Sequence, residues 1–138
     1  MFKKVCIIGC GLIGSSIARA IKKNNLSTKI VSSNRSDTTN KKVIKLNIVN
    51  DSSSDTKKMV EESDLIIIAT PLSSYKSLIF KIKNSLKNGA ILTDVGSVKE
   101  KAISLIEKNI PKNVSWISSH PIAGTEESGP EAGFSELF

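Results

Sequence analysis

Three stretches of this chain carry residue types at spacings that can do chemistry. The first is Gly9-x-Gly11-x-x-Gly14, entered directly from the apolar run Val5-Cys6-Ile7-Ile8 and followed by Ile13, Ile17, Ala20 and Ile21 at helical spacing. This predicts a strand buried on both faces, a glycine turn, and a helix packed back on the sheet. In such a turn Gly9 permits the tight bend, Gly11 lets backbone approach a pyrophosphate, and Gly14 lets helix and strand pack closely. The free N–H groups of the first helical turn, which contains Leu12 and Ile13, then face the phosphates. The pattern is that of a dinucleotide-binding turn.

The second stretch is Asn34-Arg35-Ser36, at the end of a second strand expected over residues 29–33. Asn34 stands twenty positions after Gly14, where the residue that meets the adenosine ribose belongs. An acid there would accept hydrogen bonds from the 2′-hydroxyl and select NAD. This strand instead ends in Asn34 and Arg35, and Asp37 comes too late for the acid's part. Arg35 can pair with a 2′-phosphate, with Ser36 and Thr38 adding hydroxyl donors, so NADP is expected over NAD. The alternative reading is a solvated surface turn.

The third set is a pair of segments, Thr93-Asp94-Val95-Gly96-Ser97-Val98-Lys99 and His120-Pro121-Ile122-Ala123-Gly124-Thr125-Glu126-Glu127-Ser128-Gly129. His120 is the single histidine of the chain, and an imidazole suits proton handling at neutral pH.

The elements that must hold these residues alternate along the chain. Helical patterns are expected over residues 41–46 and 57–62, with a weak third strand at Ile48-Val49-Asn50 and a polar loop over 52–55. Leu65-Ile66-Ile67-Ile68-Ala69 is a second fully apolar strand, stopped by Thr70-Pro71, and Pro71 can open the next helix. Tyr75, Leu78, Ile79, Ile82 and Leu86 form one helical face, closed by Asn88-Gly89. Residues 90–93 make the next strand. Val98, Ala102, Leu105 and Ile106 mark the inner face of a further helix, and residues 114–118 a last strand. Strands alternating with helices mean right-handed βαβ units in an α/β fold, a doubly wound parallel sheet of Rossmann type. Ligands of such sheets bind beyond the carboxyl ends of the strands, where all three stretches lie, together with Thr70, Pro71 and Leu72 on the nicotinamide side.

Composition limits the alternatives. The 138 residues suit one domain with its own core. No apolar run approaches the roughly 18 residues of a membrane span, and nothing reads as a signal peptide, so a soluble, cytoplasmic protein is expected. Cys6 and Cys10 lack partner motifs and read as buried apolar residues rather than a metal or redox pair. The net charge of +7 invites a nucleic-acid partner. Against it, the lysines are scattered and aromatics are few, so neither nucleic acid nor membrane is the expected partner.

The glycine opening GCGLIG, TDVGSVK and HPIAGTEESG, in this order, resemble the prephenate and arogenate dehydrogenases of tyrosine biosynthesis over essentially the whole chain. That resemblance implies an oxidative decarboxylation. Hydride leaves the ring carbon that bears the hydroxyl and passes to the nicotinamide, the carboxylate leaves as CO₂, and the ring becomes aromatic. It requires no metal. His120 would act as base or hydrogen-bond acceptor on the hydroxyl, and Ser97 would hydrogen-bond His120 and substrate. Gly96 would lie on the cofactor side, and Thr125 and Glu126 on the substrate side. Each assignment has a plainer alternative: Ser97-x-x-Glu100 is also a helix capping box, Glu126 also reads as solvated loop, and Asp94 as a brace for its own turn.

The resemblance also implies a second, helical domain, absent here, that forms a homodimer and supplies further substrate contacts. Residues 1–138 are therefore expected to be the nucleotide-binding part of a longer enzyme, truncated before its last strands and weakly active or inactive alone. Alternatives are a β-hydroxyacid dehydrogenase or imine reductase of the same fold, which lack the HPIAGTE segment, and a non-catalytic nicotinamide-nucleotide-binding module.

Overall fold

A computed structural model of the chain describes all residues except Val98, and excludes the side chains of Lys99, Lys101 and Ala102. The expected inner-face placement of Val98 and Ala102 thus lies outside the described residues. Among the described residues six strands form one sheet: β1 (Phe2–Ile8), β2 (Ser27–Ser33), β3 (Asp51–Ser53), β4 (Leu65–Ile68), β5 (Ile91–Asp94) and β6 (Ser115–Ile117). Their spatial order is β3-β2-β1-β4-β5-β6, and every pairing is parallel. This is the doubly wound order, with the chain reversing direction of travel between β1 and β4.

Period two along the strands divides the core. Val5 and Ile7 face one side with Ile30 and Ile67, against Ala18 and Ile21 of helix α1 (Leu12–Lys23) and Val43 of α2 (Asp37–Lys45). Cys6 and Ile8 face the other side with Ile66 and Ile68. There they meet Met59 and Val60 of α3 (Thr56–Val60), Leu78, Ile79 and Ile82 of α4 (Tyr75–Ile82), and Ile106 of α5 (Lys99–Glu107). Each fully buried aliphatic side chain contributes about 1.5–3 kcal/mol. Two apolar layers therefore hold the sheet rigid and leave its carboxyl edge free for polar residues.

The third strand departs from expectation. Ile48 and Val49 are buried as a plug under α2 rather than paired in the sheet, and the strand is the polar stretch Asp51–Ser53. The chain turns at Asn47, which has φ of 54°. Asn50 then joins the ladder through both backbone and side chain: its N–H donates to the Ile30 carbonyl and its Oδ1 accepts from the Ile30 N–H, each at 2.7 Å. Beyond it the serine hydroxyls of Ser32 and Ser52 pair at 2.7 Å, so this edge of the sheet is held by polar contacts that a hydrophobicity pattern does not register.

Residues 118–138 contain no helix or strand and return from β6 to α1. The Phe134 N–H donates to Ser16 Oγ at 3.1 Å, and Lys23–Glu136 and Lys42–Glu131 form ion pairs. Gly133 packs so closely on Ser15 that a Cβ would collide with its hydroxyl. Among the described residues no helix is long and apolar enough to cross a membrane.

Candidate functional site

The turn between β1 and α1 is built as its glycines require. Gly9 has φ of +93°, and a Cβ there would lie 2.7 Å from both the Ala69 carbonyl oxygen and Thr70 Cγ2. A Cβ at Gly14 would run into the Gly9 carbonyl. At Gly11, the residue that caps α1, nothing lies within 4 Å of where a Cβ would be. Gly9 and Gly14 therefore serve the protein's own packing, whereas the space at Gly11 is open to a ligand. Among the described residues no side chain caps α1, and its first turn has no acid, so its N–H groups and positive dipole end face that space uncompensated.

On one side of this turn is a cleft of about 620 Å³. It gathers Gly9, Gly11, Asn34, Arg35, Ser36, Thr70 and Pro71 from the ends of β1, β2 and β4. Asn34, however, is 7% exposed and committed to the protein. Its Oδ1 accepts from the Cys10 N–H at 2.6 Å, and its Nδ2 donates to Asn40 Oδ1 at 3.0 Å and Ser52 Oγ at 3.2 Å. Asn34 thus braces the glycine turn against β2, leaving Arg35 as the exposed residue at the strand end. Ser36 caps α2, its hydroxyl accepting from the Thr39 N–H, and Thr38 is exposed and outside the cleft lining. Sequence reasoning missed Ser33, Ser54, Thr56, Ser74, Ser77 and Lys81, which also line this cleft. Small hydroxyl residues and a helix-surface lysine give no motif. Only the tertiary packing sets α3 beside β2 and α4 beside α3.

A second cleft, of about 630 Å³, opens over β4 and β5 on the α1 side. His120 lines it with Thr93, Val95, Ser119 and Ile17, and the floor and rim include Ile67, Ile122 and Phe138. Helix α1 borders both clefts, through its cap Gly11 in the first and Ile17 in the second. Leu12, Ile13, Leu72, Gly96, Ser97, Thr125 and Glu126 line neither one; Ser97, Thr125 and Glu126 are exposed. The capping reading of Ser97 falls on the turn containing Val98, outside the described residues.

Asp94 joins the loops that carry Ser97 and His120. It is fully buried at the end of β5. Its Oδ2 accepts from Tyr75 OH at 2.9 Å and from the Gly96 N–H at 3.0 Å, and its Oδ1 from the Ser119 N–H at 3.4 Å. Ser119 Oγ also donates to the Asp94 carbonyl, and Thr93 Oγ1 to Ser119 Oγ at 3.1 Å. Burial, then the adjacent Asp94 charge, raises the Tyr75 phenol well above its ordinary range, so Tyr75 stays a donor. Burial likewise pushes the thiols of Cys6 to about 12 and Cys10 to about 11, which keeps both protonated and unreactive.

Comparisons with known proteins agree with this geometry. Residues 17–138 match the family model described as prephenate dehydrogenase, nucleotide-binding domain. The chain is 36% identical over 138 residues to the cyclohexadienyl dehydrogenase of Zymomonas mobilis, covering 100% of this chain and 47% of that protein. It is 33% identical over 135 residues to the prephenate dehydrogenase of Bacillus subtilis, covering 97% and 36%. Prephenate dehydrogenase from A. aeolicus, solved in complex with hydroxyphenyl propionate and NAD+, superposes with a TM-score of 0.89 at 26% identity, covering 99% of this chain and 48% of that one. The chain thus spans about half or less of the length of the curated relatives it matches. With a doubly wound sheet, an open glycine turn and the HPIAGTEESG segment at the sheet's carboxyl edge, the chain belongs to the prephenate dehydrogenase family, of which it matches the nucleotide-binding domain.

Proposed function

We propose that this chain binds NADP in preference to NAD, as the nucleotide half of a prephenate or arogenate dehydrogenase. The adenosine end would occupy the cleft at Arg35, the pyrophosphate the open space at Gly11, and the nicotinamide the approach to the cleft of His120. The observation that carries the reading is the polarity at the end of β2. Asn34 is turned inward, no carboxylate lines the cleft among the described residues, and Arg35 is exposed with no hydrogen bond or ion pair among them. A 2′-hydroxyl finds no acid acceptor there, whereas a 2′-phosphate finds a guanidinium.

In the full-length protein the nicotinamide supplies a hydride acceptor. His120 holds or takes the proton of the substrate hydroxyl as hydride leaves, and the Asp94 contacts to Gly96 and Ser119 keep the Ser97 and His120 loops in register. Thr125 and Glu126 would meet substrate only in an arrangement that brings their exposed segment over the second cleft.

Calorimetric titration of this chain with NADP and NAD tests the cofactor half. Tighter binding of NADP, lost on Arg35→Ala with NAD affinity unchanged, is the expected result. Preference for NAD would overturn the reading of the β2 end. For the chemistry, His120→Asn in the full-length protein is expected to lower kcat by about 10²–10⁴-fold with little effect on cofactor binding. Unchanged turnover would remove His120 from the reaction.

A further inference from the structure

The lining of the first cleft carries a second cation besides Arg35. Lys81, on α4, lines the cleft and directs its ammonium to Thr56 Oγ1 at 3.4 Å. Thr56, the first residue of α3, is buried, and its Oγ1 also accepts from Ser33 Oγ at 2.9 Å. Ser33 is the last residue of β2, immediately before Asn34 and Arg35. Lys81 and the end of β2 therefore converge as donors on the single hydroxyl of Thr56. Because Thr56 Oγ1 accepts twice, its own hydrogen remains to donate, and it has no acceptor among the described residues. Lys81 likewise has no carboxylate partner among them. Asp37, close to Arg35 in sequence, and Asp55, next to Thr56, do not compensate these cations, since both are absent from the cleft lining and Asp55 is engaged as the cap of α3.

We infer that Lys81 and Thr56 form, with Arg35, a three-sided site for a phosphate monoester dianion, the 2′-phosphate of NADP. The inference rests on the proposed preference for NADP and names the residues that complete it. Arg35 approaches from the β2 side, Lys81 from the α4 side, and the Thr56 hydroxyl donates from the floor. A dianion between two cations and a free hydroxyl gains from both charges at once, which a single exposed arginine does not provide. The sequence hid this site because Lys81 stands forty-six residues from Arg35 on an unrelated helix.

The test is calorimetric titration of the chain and its Lys81→Gln, Thr56→Val and Arg35→Ala variants with NADP and with NAD, at two salt concentrations. Lys81→Gln is expected to weaken NADP by about fivefold or more and NAD by less than about twofold, and to flatten the salt dependence of NADP binding. Thr56→Val should act in the same direction. Should Lys81→Gln weaken both nucleotides equally, or neither, while Arg35→Ala still selects against NADP, the role of Lys81 is overturned and the NADP reading stands. A wild-type chain that binds both nucleotides equally, or neither, overturns both. Lys81 is exposed, so its variant should melt with the wild type, and a lowered Tm would count against a purely ligand-facing role.

Discussion

The Tyr75 hydroxyl donates to the Asp94 carboxylate at 2.9 Å across the interface of α4 and β5, and both side chains are fully buried. This bond ties a core helix to the carboxyl edge of the sheet. Through the Gly96 and Ser119 N–H groups the same carboxylate reaches the two loops that carry Ser97 and His120. A buried charge is tolerated because donors surround it, and removal of one exposes the rest to an unbalanced cost.

Tyr75→Phe should therefore destabilise the chain by about 1–3 kcal/mol, the penalty for depriving a buried acceptor of its donor. The measurement is the urea midpoint at constant m value. The His120 resonances, unmistakable because the chain has one histidine, should also broaden or shift as the loop loosens. A variant with wild-type midpoint and unchanged His120 signals would show that Asp94 braces only its own turn.

The glycines of the first turn should separate by mechanism. Gly14→Ala forces a methyl group into the Gly9 carbonyl and should cost about 1–3 kcal/mol or prevent folding. Gly11→Ala adds a methyl group to open space. It should cost about 1 kcal/mol or less, yet weaken nucleotide binding at least about tenfold by blocking close approach of the pyrophosphate. Thermal melts and calorimetry on both variants check this, and a Gly11→Ala chain with full affinity would move the pyrophosphate elsewhere.

Asn34→Ala removes the acceptor of the Cys10 N–H, a buried donor with Asn34 Oδ1 as its partner. A loss of about 1–3 kcal/mol is expected, together with faster hydrogen exchange at Cys10. If instead stability is unchanged and NADP affinity alone falls, Asn34 acts on the ligand rather than on the turn.

Asp64 sets an acid limit. Its carboxylate accepts from Lys87 Nζ at 2.6 Å and from the N–H groups of Lys3 and Lys4 at 2.7 and 3.1 Å, tying the start of β1 to the start of β4. The Lys87 hydrogen bond, foremost, holds its pKa down to about 2. A folded value below the unfolded one stabilises the protein above the ordinary carboxylate range, and that stabilisation is lost as pH falls from about 4 towards 2. Wild type should therefore lose more Tm between pH 5 and pH 2.5 than Asp64→Asn, and parallel curves would refute the assignment.

Much of this architecture was legible in the sequence because it rests on local rules. The runs Val5–Ile8 and Leu65–Ile68, the spacing Gly9–Gly11–Gly14, and the turn at Thr70-Pro71 each dictate an element from neighbouring residues alone. The order of the segments GCGLIG, TDVGSVK and HPIAGTEESG likewise carries the family resemblance in the sequence alone. Where a strand is held by hydrogen bonds between polar side chains, as β3 is by Asn50, Ser52 and their partners, hydrophobic periodicity pointed instead to Ile48 and Val49. Those two are apolar because they plug a layer, not because they pair.

Tertiary structure alone decided which polar residues face ligand and which face protein. Asn34 and Arg35 are adjacent in sequence, but one hydrogen-bonds the Cys10 N–H from within and the other is exposed. Asp94 became a junction only when α4 placed the Tyr75 hydroxyl beside it. Lys81 and Thr56 line the cleft only because α3 packs on β2 and α4 packs on α3. The reason is physical. A residue's secondary structure follows from its neighbours along the chain, whereas the partner of a polar side chain is chosen by whichever donor or acceptor the packed layers bring within hydrogen-bonding distance.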